Sequence, residues 1–262
     1  MPVSRFLQAL IFDVDGTLAN TEEAHRQSFN DAFRLHGLAW HWTPERYKEL
    51  LRTTGGKERM AAYVSTLALP QSERDRLIAD IPHLHREKTV LYTRRVNAGD
   101  VALREGVERL MDEAQAANVR LAIATTTSFD NIAALLSATL GPSALDRFAA
   151  IGAGDEVEHK KPAPDVYLAV LRKLDMSAEN CVAIEDSANG VLSAKAAGLF
   201  TVVTPTYWTE EDDFSGADLV LPTLGSHETE LPGTTAARVG RGGLGIEQLE
   251  DQLAARHVAR RR

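Results

Sequence analysis

Two carboxylates, Asp13 and Asp15, follow directly after the first apolar segment of the chain at residues 10–12. Because side chains alternate along an extended backbone, residues two apart point to the same side. Paired carboxylates in that arrangement raise one another's pKa unless a cation or a basic partner lies between them. A capped helix start that uses Thr17 and the acidic residues after it is the structural alternative. Ligands of parallel α/β sheets bind beyond the carboxyl ends of the strands, so this pair predicts a functional site.

Three later apolar segments are followed by side chains that could join these carboxylates in one site. Thr125 and Thr126 offer hydroxyls and N–H groups at a helix start, which suit an anion, although plain N-capping explains them equally well. Lys161 stands among prolines, where it can reach inward, although most lysines are solvated. Glu185 and Asp186 follow another apolar run, where a capped turn is the alternative. Together, carboxylates from two strand ends favour a hard cation such as Mg²⁺, and the other groups favour a phosphate beside it.

The elements that position these residues predict an α/β protein with a doubly wound parallel sheet. Strand and helix patterns alternate after residue 95, which is typical of a parallel sheet covered on both faces. Residues 20–95 show only helical patterns, more than the single crossover helix that joins two parallel strands. We therefore predict an α/β core domain over residues 1–19 and 96–224, with residues 20–95 forming an inserted helical cap domain. Residues 225–262 are predicted to be a C-terminal tail with a weak amphipathic helix.

The order of these motifs resembles that of the haloacid dehalogenase superfamily. Asp-x-Asp-Gly-Thr after the first strand is followed by Thr after a second, Lys-Pro before a helix, and Glu-Asp after a later strand. The resemblance implies a Rossmannoid core and phosphoryl transfer through an aspartyl phosphate. It implies Asp13 as the nucleophile, and Asp15 as the general acid for the leaving alcohol and then the base that activates water.

The resemblance also implies how the cofactor and the phosphoryl group are held. Thr125 and the N–H of Thr126 would bind the transferring phosphoryl group, and Lys161 would neutralise charge between that group and the nucleophile. Glu185 would bind the metal directly or through water. The implied ligands of Mg²⁺ are Asp13, the backbone carbonyl of Asp15, Asp186 and Glu185.

The cap and one core motif indicate which branch of the superfamily the chain resembles. The position of the cap and the sequence Glu-Asp-Ser-Ala-Asn-Gly at residues 185–190 resemble the branch of β-phosphoglucomutase and phosphoglycolate phosphatase. Thr-Gly-Gly-Lys-Glu-Arg at residues 54–59 resembles the substrate loop of the CbbY-type sugar-bisphosphate phosphatases. That likeness implies hydrolysis of xylulose 1,5-bisphosphate to xylulose 5-phosphate in support of carbon fixation. A phosphomutase that uses the same site and a phosphoglycolate phosphatase are the alternatives.

A sugar bisphosphate has a second anionic group, for which the cap must supply a cation. Lys57, beside a Gly-Gly turn, is the favoured candidate, although a solvated helix face explains many such charges. The alternatives are Arg52, Arg59, Arg86 and Lys88. His25 matches a histidine that mutases of this branch use near the leaving group, and an ordinary hydrogen-bonded histidine explains it as well. The predicted substrate-binding residues are Glu22, His25, Arg52, Gly55, Gly56, Lys57, Thr125, Thr126 and Lys161.

The composition bears on the partners and the compartment. A formal net charge of −8 argues against a nucleic-acid-binding surface, and favours a metal where an anionic substrate must bind. Cys181 is the only cysteine, which excludes an intrachain disulfide and fits a reducing compartment. No apolar run approaches the roughly 18 residues of a membrane-spanning helix. We expect a cytoplasmic monomer that acts on a small phosphorylated sugar, with no nucleic-acid or membrane partner. The full set of site charges argues against a non-enzymatic binding protein.

Overall fold

The computed structural model describes residues 6–225 and 243–260. Within these residues one parallel sheet has the strand order β3-β2-β1-β4-β5-β6. The strands are β1 Ala9–Phe12, β2 Arg120–Ala124, β3 Phe148–Gly152, β4 Cys181–Glu185, β5 Phe200–Val203 and β6 Leu219–Val220. Phe12 at the end of β1 lies opposite Ile123 of β2 and Ile184 of β4. The central strands therefore end at the same edge of the sheet.

Helices cover both faces of this sheet, which confirms the predicted fold class. All of β1 is buried, and its residues alternate between two apolar clusters: Leu10 and Phe12 belong to one, Ala9 and Ile11 to the other. A strand buried on both faces reads as a continuous apolar run, as this one does. The first cluster includes residues of α5 Val107–Ala116 and α6 Phe129–Leu140. The second includes residues of α7 Asp165–Leu174 and α8 Ala188–Ala196.

The chain between β1 and α5 is helical and has its own apolar cluster. Its helices are α1 Glu22–Leu35, α2 Pro44–Leu50, α3 Gly56–Ser65 and α4 Gln71–Asn97. Phe29, Phe33, Trp42 and Tyr47 are its largest buried aromatic side chains, and they pack against one another. We call residues 20–97 the cap and the sheet with its flanking helices the core. Because the cap buries its own apolar side chains, it can lie over the carboxyl edge of the sheet as a unit.

The C-terminal helix packs against the core. Helix α9, Ile246–Arg260, buries Leu249 and Leu253 in the same cluster as Leu10. The Glu250 carboxylate accepts hydrogen bonds from the backbone N–H groups of Phe6 and Leu7, just before β1. The predicted tail over residues 225–262 includes residues 226–242 and 261–262, which lie outside the described residues. No helix among the described residues is both long and apolar enough to cross a membrane.

Candidate active site

The strand ends bring the core residues predicted from the sequence to one place. Asp13 follows β1 and its N–H donates to the carbonyl of Ile184, while Thr125 follows β2 and its N–H donates to the carbonyl of Gly152. Glu185 ends β4. Because the strands are parallel and in register at this edge, their last side chains converge. The buried side chains of Asp13, Thr125, Lys161, Glu185 and Asp186 form the floor of the site.

Lys161 provides the buried positive charge of this floor. Its Nζ donates to Oδ1 of Asp13 and to Oε1 of Glu185, each at 2.7 Å, and to the carbonyl of Ala124 at 2.8 Å. Burial lowers the pKa of the Lys161 ammonium, but the two carboxylates outweigh burial and raise it above its ordinary value. Lys161 therefore stays charged, with all three of its ammonium hydrogens directed to acceptors.

The carboxylates of the floor outnumber this lysine. Burial raises the pKa of Asp13 to about 7, against the opposing charge of Lys161. Burial and then the charges of Asp13 and Glu185 raise the pKa of Asp186 well above its usual range. Three buried carboxylates with one ammonium require further positive charge before all of them are ionised. The floor is thus a candidate site for a cation.

The donor atoms fit a metal ion that prefers oxygen ligands. Asp13, Glu185 and Asp186 each present one carboxylate oxygen, and these atoms lie within 4.8 Å of one another. Oε2 of Glu185 is buried without a hydrogen-bond partner, so one acceptor is available. Gly16 has φ +80°, and a Cβ there would lie 2.1 Å from Oδ2 of Asp186. Glycine in the Asp-x-Asp-Gly motif therefore leaves room for the Asp186 carboxylate beside the loop that follows β1.

The Asp15 side chain is held by the beginning of the cap. Its Oδ1 accepts hydrogen bonds from Oγ1 of Thr21 at 2.7 Å and from Nε2 of His25 at 2.9 Å. Burial alone would raise the pKa of Asp15, but the charge and hydrogen bond of His25, with that of Thr21, lower it to about 2. Nζ of Lys88, on α4, lies 2.6 Å from Nδ1 of His25. His25 therefore connects the Asp15 carboxylate to helix α4 of the cap.

A cavity of about 560 Å³ lies between the floor and the cap. The predicted residues that line it are Asp13, Asp15, Glu22, His25, Arg52, Gly55, Gly56, Lys57, Thr125, Thr126, Lys161 and Asp186. Glu185 lies behind this lining, where its Oε1 also accepts a hydrogen bond from the Tyr167 hydroxyl. Arg86, one of the candidate cap cations, is exposed beside His83 and does not line the cavity. The sequence-predicted set is otherwise gathered at one cavity.

The cap cations differ in burial and in partners. Half of the Lys57 side chain is exposed, and its Nζ lies 3.7 Å from Asp155. Arg59 is buried, and its Nη1 donates to the Tyr47 hydroxyl at 3.0 Å. Among the described residues, no carboxylate lies within ion-pair distance of the Arg59 guanidinium. A buried guanidinium without a carboxylate partner at a cavity wall is a candidate anion site.

Helix α6 begins with polar side chains that are not used for capping. Its N-cap residue, Ser128, makes no side-chain capping bond, and its buried hydroxyl has no hydrogen-bond partner. The buried Asn131 amide donates to Oγ1 of Thr127, while its Oδ1 has no partner. All three residues line the cavity, so α6 offers polar groups to a ligand. The sequence reasoning missed Asn131, although its spacing of four from Thr127 indicates the same helix face.

Arg104 is a second residue that the sequence reasoning missed. Its guanidinium donates to the carbonyls of Gly16, Thr204 and Pro205. Arg104 therefore connects the loop after β1 with the segment after β5. A lone arginine distant in the sequence from every partner gives no local signal, so only the folded chain shows this role.

Comparisons with known proteins identify relatives over most of the chain. A family model described as haloacid dehalogenase-like hydrolase matches residues 7–198. Protein CbbY of Rhodobacter capsulatus is 51% identical over 224 residues, which cover 86% of this chain and 96% of that protein. These findings confirm the family that the motifs indicated.

Solved structures agree with this result. The crystal structure of CbbY from Rhodobacter sphaeroides in complex with phosphate has a TM-score of 0.76 and 45% identity, covering 83% of this chain and 94% of that chain. A mutant of the same protein, in complex with xylulose-(1,5)bisphosphate, has the same TM-score of 0.76 at 44% identity. The fold and the phosphatase class are therefore shared with proteins of nearly half-identical sequence.

Proposed function

This chain belongs to the haloacid dehalogenase-like hydrolases, as a CbbY-type phosphatase, and we propose that it hydrolyses xylulose 1,5-bisphosphate to xylulose 5-phosphate. The observation that carries this proposal is that one cavity is lined by a buried positive charge of the core and by a buried positive charge of the cap. Lys161 lies in the core beside Asp13, and Arg59 lies in the cap without a carboxylate partner. A substrate with two phosphates offers an anion to each wall.

The chemistry would begin at Asp13. An oxygen of its carboxylate attacks the phosphorus of the 1-phosphate while the bond from phosphorus to the sugar oxygen breaks, which leaves an aspartyl phosphate. Lys161, which is hydrogen-bonded to Asp13, keeps that carboxylate oriented and offsets charge that develops on the phosphoryl oxygens. Water then attacks the phosphorus, releasing phosphate and restoring the Asp13 carboxylate. Thr125 and the N–H of Thr126 would bind the phosphoryl oxygens throughout.

Asp15 would transfer the protons in both steps. It gives a proton to the departing sugar oxygen and later takes one from the attacking water. While Asp15 accepts hydrogen bonds from Thr21 and His25, its pKa is too low for it to carry a proton. The negative charge of a substrate phosphate beside Asp15 would raise this pKa, which is the direction that the acid role needs.

The acidic cluster supports a role for Mg²⁺. Asp13, Asp186 and the backbone carbonyl of Asp15 would hold the ion, with Glu185 bound directly or through water. Mg²⁺ held there would supply positive charge against the phosphoryl dianion and the floor carboxylates. Glu22, whose Oε2 accepts a hydrogen bond from the Tyr47 hydroxyl, would bind sugar hydroxyls from the cap.

A phosphomutase is the second candidate function, and the contact between His25 and Asp15 is the observation in its favour. Both reactions form the same phosphoaspartate and differ in whether water or a second sugar hydroxyl accepts the phosphoryl group. Release of inorganic phosphate distinguishes them. We expect one phosphate per xylulose 1,5-bisphosphate, whereas isomerised sugar phosphate without phosphate release would support the mutase.

The test of the substrate is a panel assay of phosphate release in buffer with Mg²⁺. The panel contains xylulose 1,5-bisphosphate, xylulose 5-phosphate, 2-phosphoglycolate, β-glucose 1-phosphate and p-nitrophenyl phosphate. We expect the highest kcat/KM on xylulose 1,5-bisphosphate and at least about tenfold less on the monophosphates, since these lack the second anion. A higher kcat/KM on 2-phosphoglycolate or another monophosphate would overturn the proposed substrate.

A further inference from the structure

A segment of the core reaches the cap beside the cavity. We call residues 205–212, which follow β5, the strap. Arg104 donates to the carbonyl of Pro205 at the beginning of the strap. At its end, the Asp212 carboxylate accepts a hydrogen bond from the N–H of Ala188, two residues after Asp186. Threonines 206 and 209 hydrogen-bond to each other inside it. The strap is therefore fixed at both ends to core segments, through Arg104 to the loop after β1 and through Ala188 to the segment after β4.

The middle of the strap packs against the cap. Trp208 contacts the apolar cluster of the cap, and its ring lies 5.5 Å from that of Tyr47 at 89°, an edge-to-face pair. Beside it, Nζ of Lys48 lies 5.1 Å from the Tyr207 ring and 3.0 Å from Oε1 of Glu211. Lys48 and Tyr47 are neighbours on α2. The contact of Trp208 with Tyr47 thus joins a core side chain to the interior of the cap.

Tyr47 in turn holds two side chains of the cavity wall. Its hydroxyl donates to Oε2 of Glu22 at 2.7 Å and accepts from Nη1 of Arg59 at 3.0 Å. The Tyr47 ring is fully buried, so it can be displaced only by repacking its neighbours. A shift of Tyr47 therefore moves the carboxylate of Glu22 and the guanidinium of Arg59 together.

We propose that Trp208 is a positioning residue. When the cap lies on the core, Trp208 packs against Tyr47 and holds it in place, and Tyr47 in turn orients Glu22 and Arg59 toward the substrate. This inference rests on the proposed function in one respect, that Glu22 and Arg59 bind the sugar phosphate. Trp208 belongs to the core and Tyr47 to the cap, so their contact exists only while the two are together. Binding of the second phosphate is then coupled to closure of the cap through the contact of Trp208 with Tyr47.

The test compares Trp208→Ala with Trp208→Phe, using Glu210→Gln as the control on the same strap. We expect Trp208→Ala to raise KM for xylulose 1,5-bisphosphate about five- to tenfold, from the loss of one aromatic contact and the looser Tyr47. Trp208→Phe keeps an aromatic ring against Tyr47 and should stay within about twofold of the parent. Glu210→Gln, which removes an exposed charge 3.3 Å from Lys48 and no contact with Trp208 or Tyr47, should also stay within about twofold.

Two further measurements separate positioning from a general structural effect. Hydrolysis of p-nitrophenyl phosphate, which offers neither a second anion nor sugar hydroxyls, should change by less than about twofold in every strap variant. The Tyr47→Phe variant should raise KM for the bisphosphate as Trp208→Ala does, and the double variant should be less than additive because both act through Tyr47. Equal losses on both substrates, full additivity, or failure of Trp208→Phe to restore KM would overturn the proposal.

The substrate assignment and the role of Trp208 fail in different ways. If the parent enzyme turns over another sugar phosphate of the panel faster, the proposed substrate is wrong, and that sugar phosphate takes its place in the same comparison. If the parent prefers the bisphosphate and Trp208→Ala leaves its KM unchanged, the substrate stands and the positioning role is wrong.

Discussion

Nζ of Lys161 lies 2.7 Å from Oδ1 of Asp13, and only 4% of the lysine side chain is exposed. The same ammonium lies 2.7 Å from Oε1 of Glu185, so one buried cation serves carboxylates from two adjacent strands. Buried charges are costly unless they are paired and hydrogen-bonded. The residue that orients the proposed nucleophile is therefore also needed for the stability of the sheet edge.

Lys161→Met should abolish turnover and lower the free energy of unfolding by about 3–5 kcal/mol, because it leaves two buried carboxylates without their cation. The adjacent Lys160 provides the matched control, since its Nζ pairs with the half-exposed carboxylate of Glu58 at 2.9 Å. Lys160→Met should cost no more than about 1 kcal/mol. Urea unfolding of both variants measures the difference, and equal costs would contradict the role assigned to Lys161.

Asp13→Asn should lose turnover while keeping its fold, because an amide preserves the shape of the side chain but cannot attack phosphorus. Asp15→Asn should fail differently, since the nucleophile survives while proton transfer does not. Intact-mass measurement after mixing with substrate should detect phosphoenzyme only where Asp13 is present. Phosphoenzyme on the Asp13→Asn variant would disprove the assignment of the nucleophile.

Removal of divalent metal should abolish activity, and Mg²⁺ should restore it, because the floor carboxylates and the substrate phosphate otherwise repel one another. Binding can be measured without turnover. Mg²⁺ should raise the Tm of the substrate-free protein, since a ligand that binds only the folded state stabilises it. Asp186→Asn removes one of the clustered oxygens and should reduce that shift. An unchanged Tm in the parent, or full activity in excess chelator, would exclude the metal site.

The strand-end residues could be predicted from the sequence because their signal is local. Asp13 and Asp186 follow short apolar runs that are buried on both faces, and such runs have few explanations other than central strands. The parallel order then brings their ends together without knowledge of any side-chain contact. The fold class could be predicted for the same reason, since it depends on the alternation of strands and helices.

The cap side of the site could not be predicted in the same way. Tyr47, Arg59 and Trp208 come from three separate elements, and their contacts depend on how the cap packs over the core. Sequence reasoning identified Arg59 only as one of several cations near a glycine turn. Burial and missing partners distinguish these cations, and both are properties of the folded chain.

Lys88 should make the stability of the protein depend on pH. Burial lowers its pKa from the ordinary value of 10.5 to about 7, against the raising effects of Asp15 and Glu22, while Arg59 also lowers it. Between these two values the unfolded chain binds more protons, so the free energy of unfolding should rise with pH, by at most about 1.4 kcal/mol per unit. Lys88→Met should flatten this slope in urea unfolding at pH 7.5 and pH 9. Parallel slopes for parent and variant would contradict the prediction.

Two candidate cations for the second phosphate of the substrate, Lys57 and Arg59, lie two residues apart in the cap, so their contributions to binding can be compared directly. Lys57 is half exposed and already close to Asp155, whereas Arg59 is buried with only neutral partners among the described residues. An exposed lysine retains its hydration and gains little from a phosphate, while a buried guanidinium has already lost most of its water. We therefore expect Arg59 to contribute more to binding than Lys57.

Arg59→Gln should reduce kcat/KM for xylulose 1,5-bisphosphate by at least about tenfold, since a hydrogen bond to a charged group contributes about 1.5–3 kcal/mol. Lys57→Gln, the matched control on the same helix α3, should cost less than about threefold. Neither variant should change hydrolysis of p-nitrophenyl phosphate comparably, because Asp13, Lys161 and the metal ligands are untouched. The expected pattern is a loss of discrimination between the two substrates in one variant only. The opposite order would assign the second phosphate to Lys57, and equal losses on both substrates would make Arg59 a folding or closure residue that acts through Tyr47.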